Sequence, residues 1–136
     1  MGSSNARTYG NLVEQKVIDN RNLRYRDTEM RDFSDAYNPR TNQPVEIKAT
    51  STSRANNRKG SIRLWKSKHE KLHKHNGYYV IAAYKPVGRG IRIIQSRSMK
   101  PNDIERLNPS WYPNQHTHDK NRQYDTEIPI DRILTV

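Results

Sequence analysis

Residues 32–50 read DFSDAYNPRTNQPVEIKAT, and the second half of that stretch decides how the chain folds. Val45, Ile47 and Ala49 alternate with Glu46, Lys48 and Thr50, the period-2 pattern of a strand with one apolar and one polar face. Phe33 to Asn38 supplies a second strand, and Pro39-Arg40-Thr41-Asn42 between them is turn material. A hairpin centred between Arg40 and Thr41 sets Asp35 directly opposite Glu46, and directly opposed residues share a face. Asp35, Glu46 and Lys48 are thus expected to gather on one side of the sheet. Two carboxylates beside an ammonium suit a divalent cation that binds a phosphate and activates water. Asp32 competes as a ligand, but its hairpin partner would be Ala49, on the wrong face.

Upstream, residues 1–9 read as loosely packed, and Gly10 to about Asn20 as a short helix carrying Leu12, Val13, Val17 and Ile18. At 100° per residue Glu14 falls between Val17 and Ile18, at the edge of the apolar stripe. A carboxylate there either reaches solvent or needs a partner or a metal. Residues 22–28 make a first strand, with Arg21, Arg24 and Arg26 either phosphate contacts or, the preferred reading, a solvated edge.

Downstream, residues 51–60 (STSRANNRKG) form a polar loop whose Arg54, Arg58 and Lys59 are placed to meet a phosphate backbone. Lys59-Gly60-Ser61 is not a P-loop, because the motif's earlier glycine is missing. Ser61 to Asn76 reads as a helix stopped by Gly77, with Ile62, Leu64, Trp65 and Leu72 apolar and Arg63, Lys66, Lys68, Lys71 and Lys74 around them. Within it His69-Glu70-Lys71-Leu72-His73 matches HExxH, the zinc-peptidase pattern. Lysines on most sides would repel a dication there. His69 and His73 are read instead as the edge of a nucleic-acid groove, or His69 as packing beside Ile62.

Tyr78 to Tyr84 is a continuous apolar run, the signature of a strand buried on both faces. A turn at Lys85–Gly90, a strand at Ile91–Gln95 and a short helix at Pro101–Leu107 follow. Residues 108–126 are rich in proline, asparagine and charge, with Trp111 and Tyr112 as the only large anchors, read as pinning a long loop to the domain in preference to stacking on bases. Ile128 to Val136 reads as an edge strand.

Only 32% of the 136 residues are hydrophobic and the mean hydropathy is −1.16, so the core is small and dimerisation would add burial. The formal net charge of +11 points to a polyanion, nucleic acid before an anionic membrane, since no basic helix has a strong apolar face. With no cysteine there is neither a disulfide framework nor a thiolate metal site. No apolar run approaches ~20 residues and no leader opens the chain, so the expectation is an intracellular protein, cytoplasmic or nucleoid-associated, with no membrane partner.

Asp35…Glu46-Ile47-Lys48 resembles the active-site motif of the PD-(D/E)xK nuclease superfamily, which includes restriction endonucleases and archaeal Holliday-junction resolvases. Ser34 stands where that motif often carries proline. Gly10-x-x-x-Glu14 resembles the first helix of the resolvases, where the glutamate approaches the metal. The order helix, strand, hairpin, helix, strand resembles the superfamily's αβββαβ core, an α/β fold whose central mixed sheet is flanked by helices. The resemblance covers about residues 10–95 of a single domain (1–136) and leaves 96–136 as an extension.

It implies a Mg²⁺-dependent endodeoxyribonuclease, with Mn²⁺ able to substitute, acting as a homodimer on DNA in restriction or junction resolution. Asp35, Glu46 and the Ile47 carbonyl would ligate the metal, Glu14 would complete an outer shell, and Lys48 would polarise the attacking water. Arg54, Arg58, Lys59, Arg63, Lys66, Lys68 and His69 would hold the strand. The alternatives are a non-catalytic nucleic-acid-binding module and a small HExxH zinc peptidase.

Overall fold

The computed structural model describes residues 2–26, 33–52, 60–113 and 124–135, without the side chains of residues 2–8. Helix α1 (Gly2–Asn20) leads through the short strand β1 (Arg24–Tyr25) to the hairpin of β2 (Ala36–Tyr37) and β3 (Pro44–Ser51). The hairpin has the register read from its turn, Ala36 opposite Val45 and Tyr37 opposite Pro44. Asn38 organises the turn: its Oδ1 accepts the Arg40 amide at 3.0 Å and its carbonyl accepts the Asn42 amide at 2.7 Å. Asn42 sits at φ 61°, a left-handed conformation that asparagine tolerates.

Strand β4 (Ser61–Trp65) and helix α2 (Lys66–Lys74) follow, then the long strands β5 (Tyr78–Val87) and β6 (Gly90–Met99), helix α3 (Pro101–Glu105), and strands β7 (Tyr112–Pro113) and β8 (Tyr124–Pro129). Five strands form a mixed sheet in the order β1-β2-β3-β5-β6, in which β3 and β5 are parallel. Within that sheet the chain runs helix, three strands, helix, strand, the expected αβββαβ order with β4 interposed. Strand β5 lies between β3 and β6, which explains its continuous apolar run: Val80 to Ala83 are inaccessible from either face.

Two apolar cores sandwich this sheet. On one face α1 sets Val13, Val17 and Ile18 against Val45, Ile47, Val80 and Ala82. On the other, Tyr79, Ile81 and Ala83 meet Leu72 of α2, Ile104 of α3, and Ile62, Leu64 and Ile128. Full burial of each aliphatic side chain contributes about 1.5–3 kcal/mol, and both helices are anchored this way.

Four expectations need correction. Helix α1 starts at Gly2 rather than Gly10, because extending a helix already anchored by packing costs little per residue. Ser61 to Trp65 is a strand, not the first turns of a helix. Ile62 and Leu64 alternate with Ser61, Arg63 and Trp65, and β8 pairs along the whole segment, Ser61 opposite Pro129 through Trp65 opposite Asp125. The C-terminal strand is therefore Tyr124–Pro129, central in a three-stranded sheet of order β4-β8-β7, not an edge at Ile128–Val136. After Pro129 the chain makes a 3₁₀ turn (Ile130–Arg132) that buries Ile130, Ile133 and Leu134, a helical rather than an alternating spacing. Finally, α2 stops at Lys74, and Asn76 rather than Gly77 takes the left-handed position at φ 58°. Gly77 is needed for closeness: a Cβ there would sit 2.5 Å from Leu72 Cδ1 and 2.6 Å from the Pro44 carbonyl oxygen.

Candidate active site

Strand β2 pairs with β3 only as far as Ala36 and Val45, so β3 has no paired neighbour on that side from Glu46 onward among the described residues. Asp35, one residue before β2, closes the gap. Its amide bonds the Val45 carbonyl at 3.0 Å and its Oδ2 accepts the Ile47 amide at 2.9 Å. In a strand the N–H and C=O of one residue leave on the same side, so the Ile47 carbonyl faces this edge too.

A cavity of about 410 Å³ opens at that edge, lined by Gly10, Asn11 and Glu14 of α1, Asp35, the β3 run Glu46–Ala49, Trp65 and Lys68. Glu14 reaches it from the α1 face of the sheet and Lys68 from the α2 face. The stretch Glu46-Ile47-Lys48-Ala49 lines it with both its faces because it stands at the rim.

Glu46 is 8% exposed. Burial first, then hydrogen bonding to the Asp35 carboxyl and that group's charge, pushes the Glu46 carboxyl well above the ordinary carboxylate range, while Lys48 and Lys68 pull it down without offsetting this. Two crowded carboxyls in hydrogen-bonding contact, with an inward carbonyl beside them, form a hard oxygen donor set that a small dication would relieve of its repulsion. Among the described residues no three acidic or imidazole side chains converge on a ready metal cluster. Two side chains and a carbonyl still fit an ion that keeps several waters, as Mg²⁺ does.

The structure thus brings Glu14, Asp35, Glu46, Ile47, Lys48 and Lys68 to one cavity. Arg54, Arg58, Lys59 and the competing ligand Asp32 lie outside the described residues. Lys66 is exposed, its ammonium 5.6 Å from the centroid of the Tyr124 ring. Arg63, expected on phosphate, is instead paired across the small sheet with Glu127 and, at 3.5 Å, Asp125. It projects from the outer face of a strand where a helical face was expected.

His69 is buried rather than laid along an open edge: it is 4% exposed, with Nε2 2.7 Å from Glu105 Oε1 and Nδ1 2.7 Å from the Tyr79 hydroxyl, and with His73 and Glu105 it lines a cavity of about 190 Å³. A carboxylate at Nε2 calls for the Nε2–H tautomer, so Nδ1 accepts from Tyr79. Trp111 leans on the same ring, its centroid 5.4 Å away, and so pins the segment after α3. Burial lowers the His69 pKa despite the Glu105 carboxylate, and burial followed by the charges of Glu46 and Glu105 raises that of Tyr79 well above its ordinary value. The HExxH match fails for the same reason: both His69 nitrogens are committed, and His73 is exposed.

Trp65 was missed as a lining residue. Alternation over Ser61–Trp65 could have revealed it, since a strand there turns Trp65 away from Ile62 and Leu64.

No curated protein and no solved structure matches the chain. A family model for the PD-(D/E)XK nuclease superfamily domain matches residues 1–135. The αβββαβ order and mixed five-stranded sheet accord with the restriction-endonuclease-like fold of such domains. The match also takes in the C-terminal segment, which completes the small sheet against β4. By that match and this architecture, the chain belongs to the PD-(D/E)XK nuclease superfamily.

Proposed function

We propose that the protein is a divalent-metal-dependent DNA endonuclease that hydrolyses phosphodiester bonds, and that residues 1–136 form one nuclease-like unit. The observation that carries the reading is the convergence of Asp35, Glu46 and Lys48 at the unpaired edge of β3, with Glu14 brought from α1. Asp35, Glu46 and the Ile47 carbonyl would hold Mg²⁺ or Mn²⁺, and Glu14 would engage it through water. When bound, the ion supplies Lewis acidity toward the scissile phosphate and a lowered pKa for the attacking water.

The protein's own contribution is positional and electrostatic. The Ile47 amide fixes the Asp35 carboxylate, and burial fixes Glu46. Lys48 orients the attacking water and stabilises the negative charge that develops on the phosphate. Lys68 adds a second cation to the cavity wall, and Lys66, with Arg54, Arg58 and Lys59, guides the backbone by charge. Arg63 and His69 are left out of this set because their polar atoms are already engaged. A two-fold dimer suits cutting of paired strands, and an intracellular location goes with a DNA substrate; both belong to this proposal.

The test is incubation with supercoiled plasmid and with a synthetic four-way junction, in Mg²⁺, in Mn²⁺ and in EDTA. Cleavage in metal that stops in EDTA and in Asp35→Asn supports the reading, and the junction arm separates a resolvase from a restriction-type enzyme. Salt-sensitive binding without cleavage at any metal concentration sinks it in favour of a non-catalytic module.

A further inference from the structure

The small sheet has an outer face that meets the hydrolytic site only at Trp65 among the described residues. Its inward residues Ile62, Leu64, Thr126 and Ile128 are all buried. Trp65 and Tyr112 both stand opposite Asp125 in the β4-β8-β7 register, so the three form one row on the outward face. At strand spacing the two aromatic residues are about 10 Å apart. Trp65 also lines the cavity beside Glu46, Lys48 and Lys68, so the row begins at the candidate scissile position and runs away from it. Trp65 is half-buried, and Tyr112 keeps 63% of its surface exposed.

We infer that this row, from Trp65 at the cavity wall to Tyr112, is a stacking platform for unpaired bases, so that the preferred substrate carries a single-stranded stretch beside the scissile phosphate. The inference rests on the nuclease reading and narrows its substrate. An aromatic ring stacks on any exposed base face, with a gain in affinity of order five- to a hundred-fold per base. Inside a duplex those faces are already covered by neighbouring bases, so the platform discriminates by pairing and not by sequence. Arg63 offsets Asp125 and Glu127 on the same face, leaving it poor in net positive charge. Lys68, in the cavity with Trp65, supplies a cation at that end of the row instead. That division suits bases on the sheet and phosphates along its margin.

The chain has two tryptophans, so fluorescence isolates Trp65 by difference. Asp35→Asn and the double variant Asp35→Asn/Trp65→Phe are titrated in EDTA with (dT)₁₂ and with a blunt-ended 20-bp duplex. Quenching by (dT)₁₂ that exceeds the duplex effect and disappears in the double variant is expected. In Mg²⁺, Trp65→Ala should cut a 5′-flapped duplex at least about ten-fold more slowly and lower the ratio of flapped to plain-duplex cutting, and Trp65→Phe should retain most of the rate and of that ratio. Circular dichroism melts confirm that each variant is folded.

Equal cutting of flapped DNA by wild type and Trp65→Ala overturns the platform, as does absence of quenching by (dT)₁₂. Quenching by (dT)₁₂ with no cleavage of any DNA upholds the platform and removes the nuclease reading. Cleavage without quenching does the reverse.

Discussion

Replacing His69 with alanine tests the correction that most changes the picture of α2. The imidazole fills a site with 4% exposure and joins Tyr79 to Glu105 through two contacts of 2.7 Å. Truncation leaves the Tyr79 hydroxyl, on a residue only 3% exposed, without its acceptor. An orphaned buried polar group costs about 1–3 kcal/mol. The Glu105 side chain is 51% exposed and rehydrates at little cost. The vacated ring volume adds about 2 kcal/mol of lost packing. The expected total is about 3–5 kcal/mol, read as a drop in the urea midpoint at unchanged m-value. For a chain of this size that lowers Tm by about 6–20 °C. His69→Phe with Tyr79→Phe, which restores volume and removes the orphan, should recover part of the loss. Because burial depresses the His69 pKa, the folded state holds a neutral ring. Its stabilising effect is complete above the unfolded pKa near ~6.5 and is lost as the pH falls through the depressed value; His69→Phe removes that dependence. A loss below ~1 kcal/mol together with collapse of DNA affinity would refute the reasoning, because it would return His69 to a nucleic-acid surface.

Lys48→Ala should lower cleavage by over ~100-fold, about 3 kcal/mol of transition-state stabilisation, while leaving DNA affinity nearly intact; a rate above a tenth of wild type sinks its assigned role. Glu46→Gln should raise Tm of the metal-free protein at neutral pH. The raised folded pKa means stability is greatest below the unfolded carboxylate range and falls as the pH climbs through the folded value, a loss glutamine cannot show. Added Mg²⁺ should stabilise the wild type and not this variant, and equal metal-induced shifts would remove Glu46 from the ligand set. Gly77→Ala should cost about 1–3 kcal/mol, since its Cβ would lie 2.6 Å from the Pro44 carbonyl oxygen, and a thermal melt unchanged within ~0.5 kcal/mol contradicts that close approach.

By itself the sequence determined what is local. Alternation over Val45–Thr50, the asparagine-rich turn and the apolar run Tyr78–Tyr84 specify a hairpin register and a buried central strand, and register alone puts Asp35 opposite Glu46. Period-2 and period-3.6 patterns record which face of one element is dry, and in these segments they leave no competing solution. Only the tertiary structure decided what depends on a partner far along the chain. Residues 61–65 carry enough apolar positions for either a helix or a strand, and strand wins because residues 124–129 offer a complete ladder some sixty positions away. That one pairing turned Arg63 toward carboxylates and Trp65 toward the cavity. His69 was likewise undecidable locally: its burial is set by Tyr79 on the central sheet and Glu105 on α3, neither of which lies on its own element. The crowding that raises Glu46 required both the hairpin and the packing above it, since desolvation is a property of the assembled surroundings and leaves no trace in residue order.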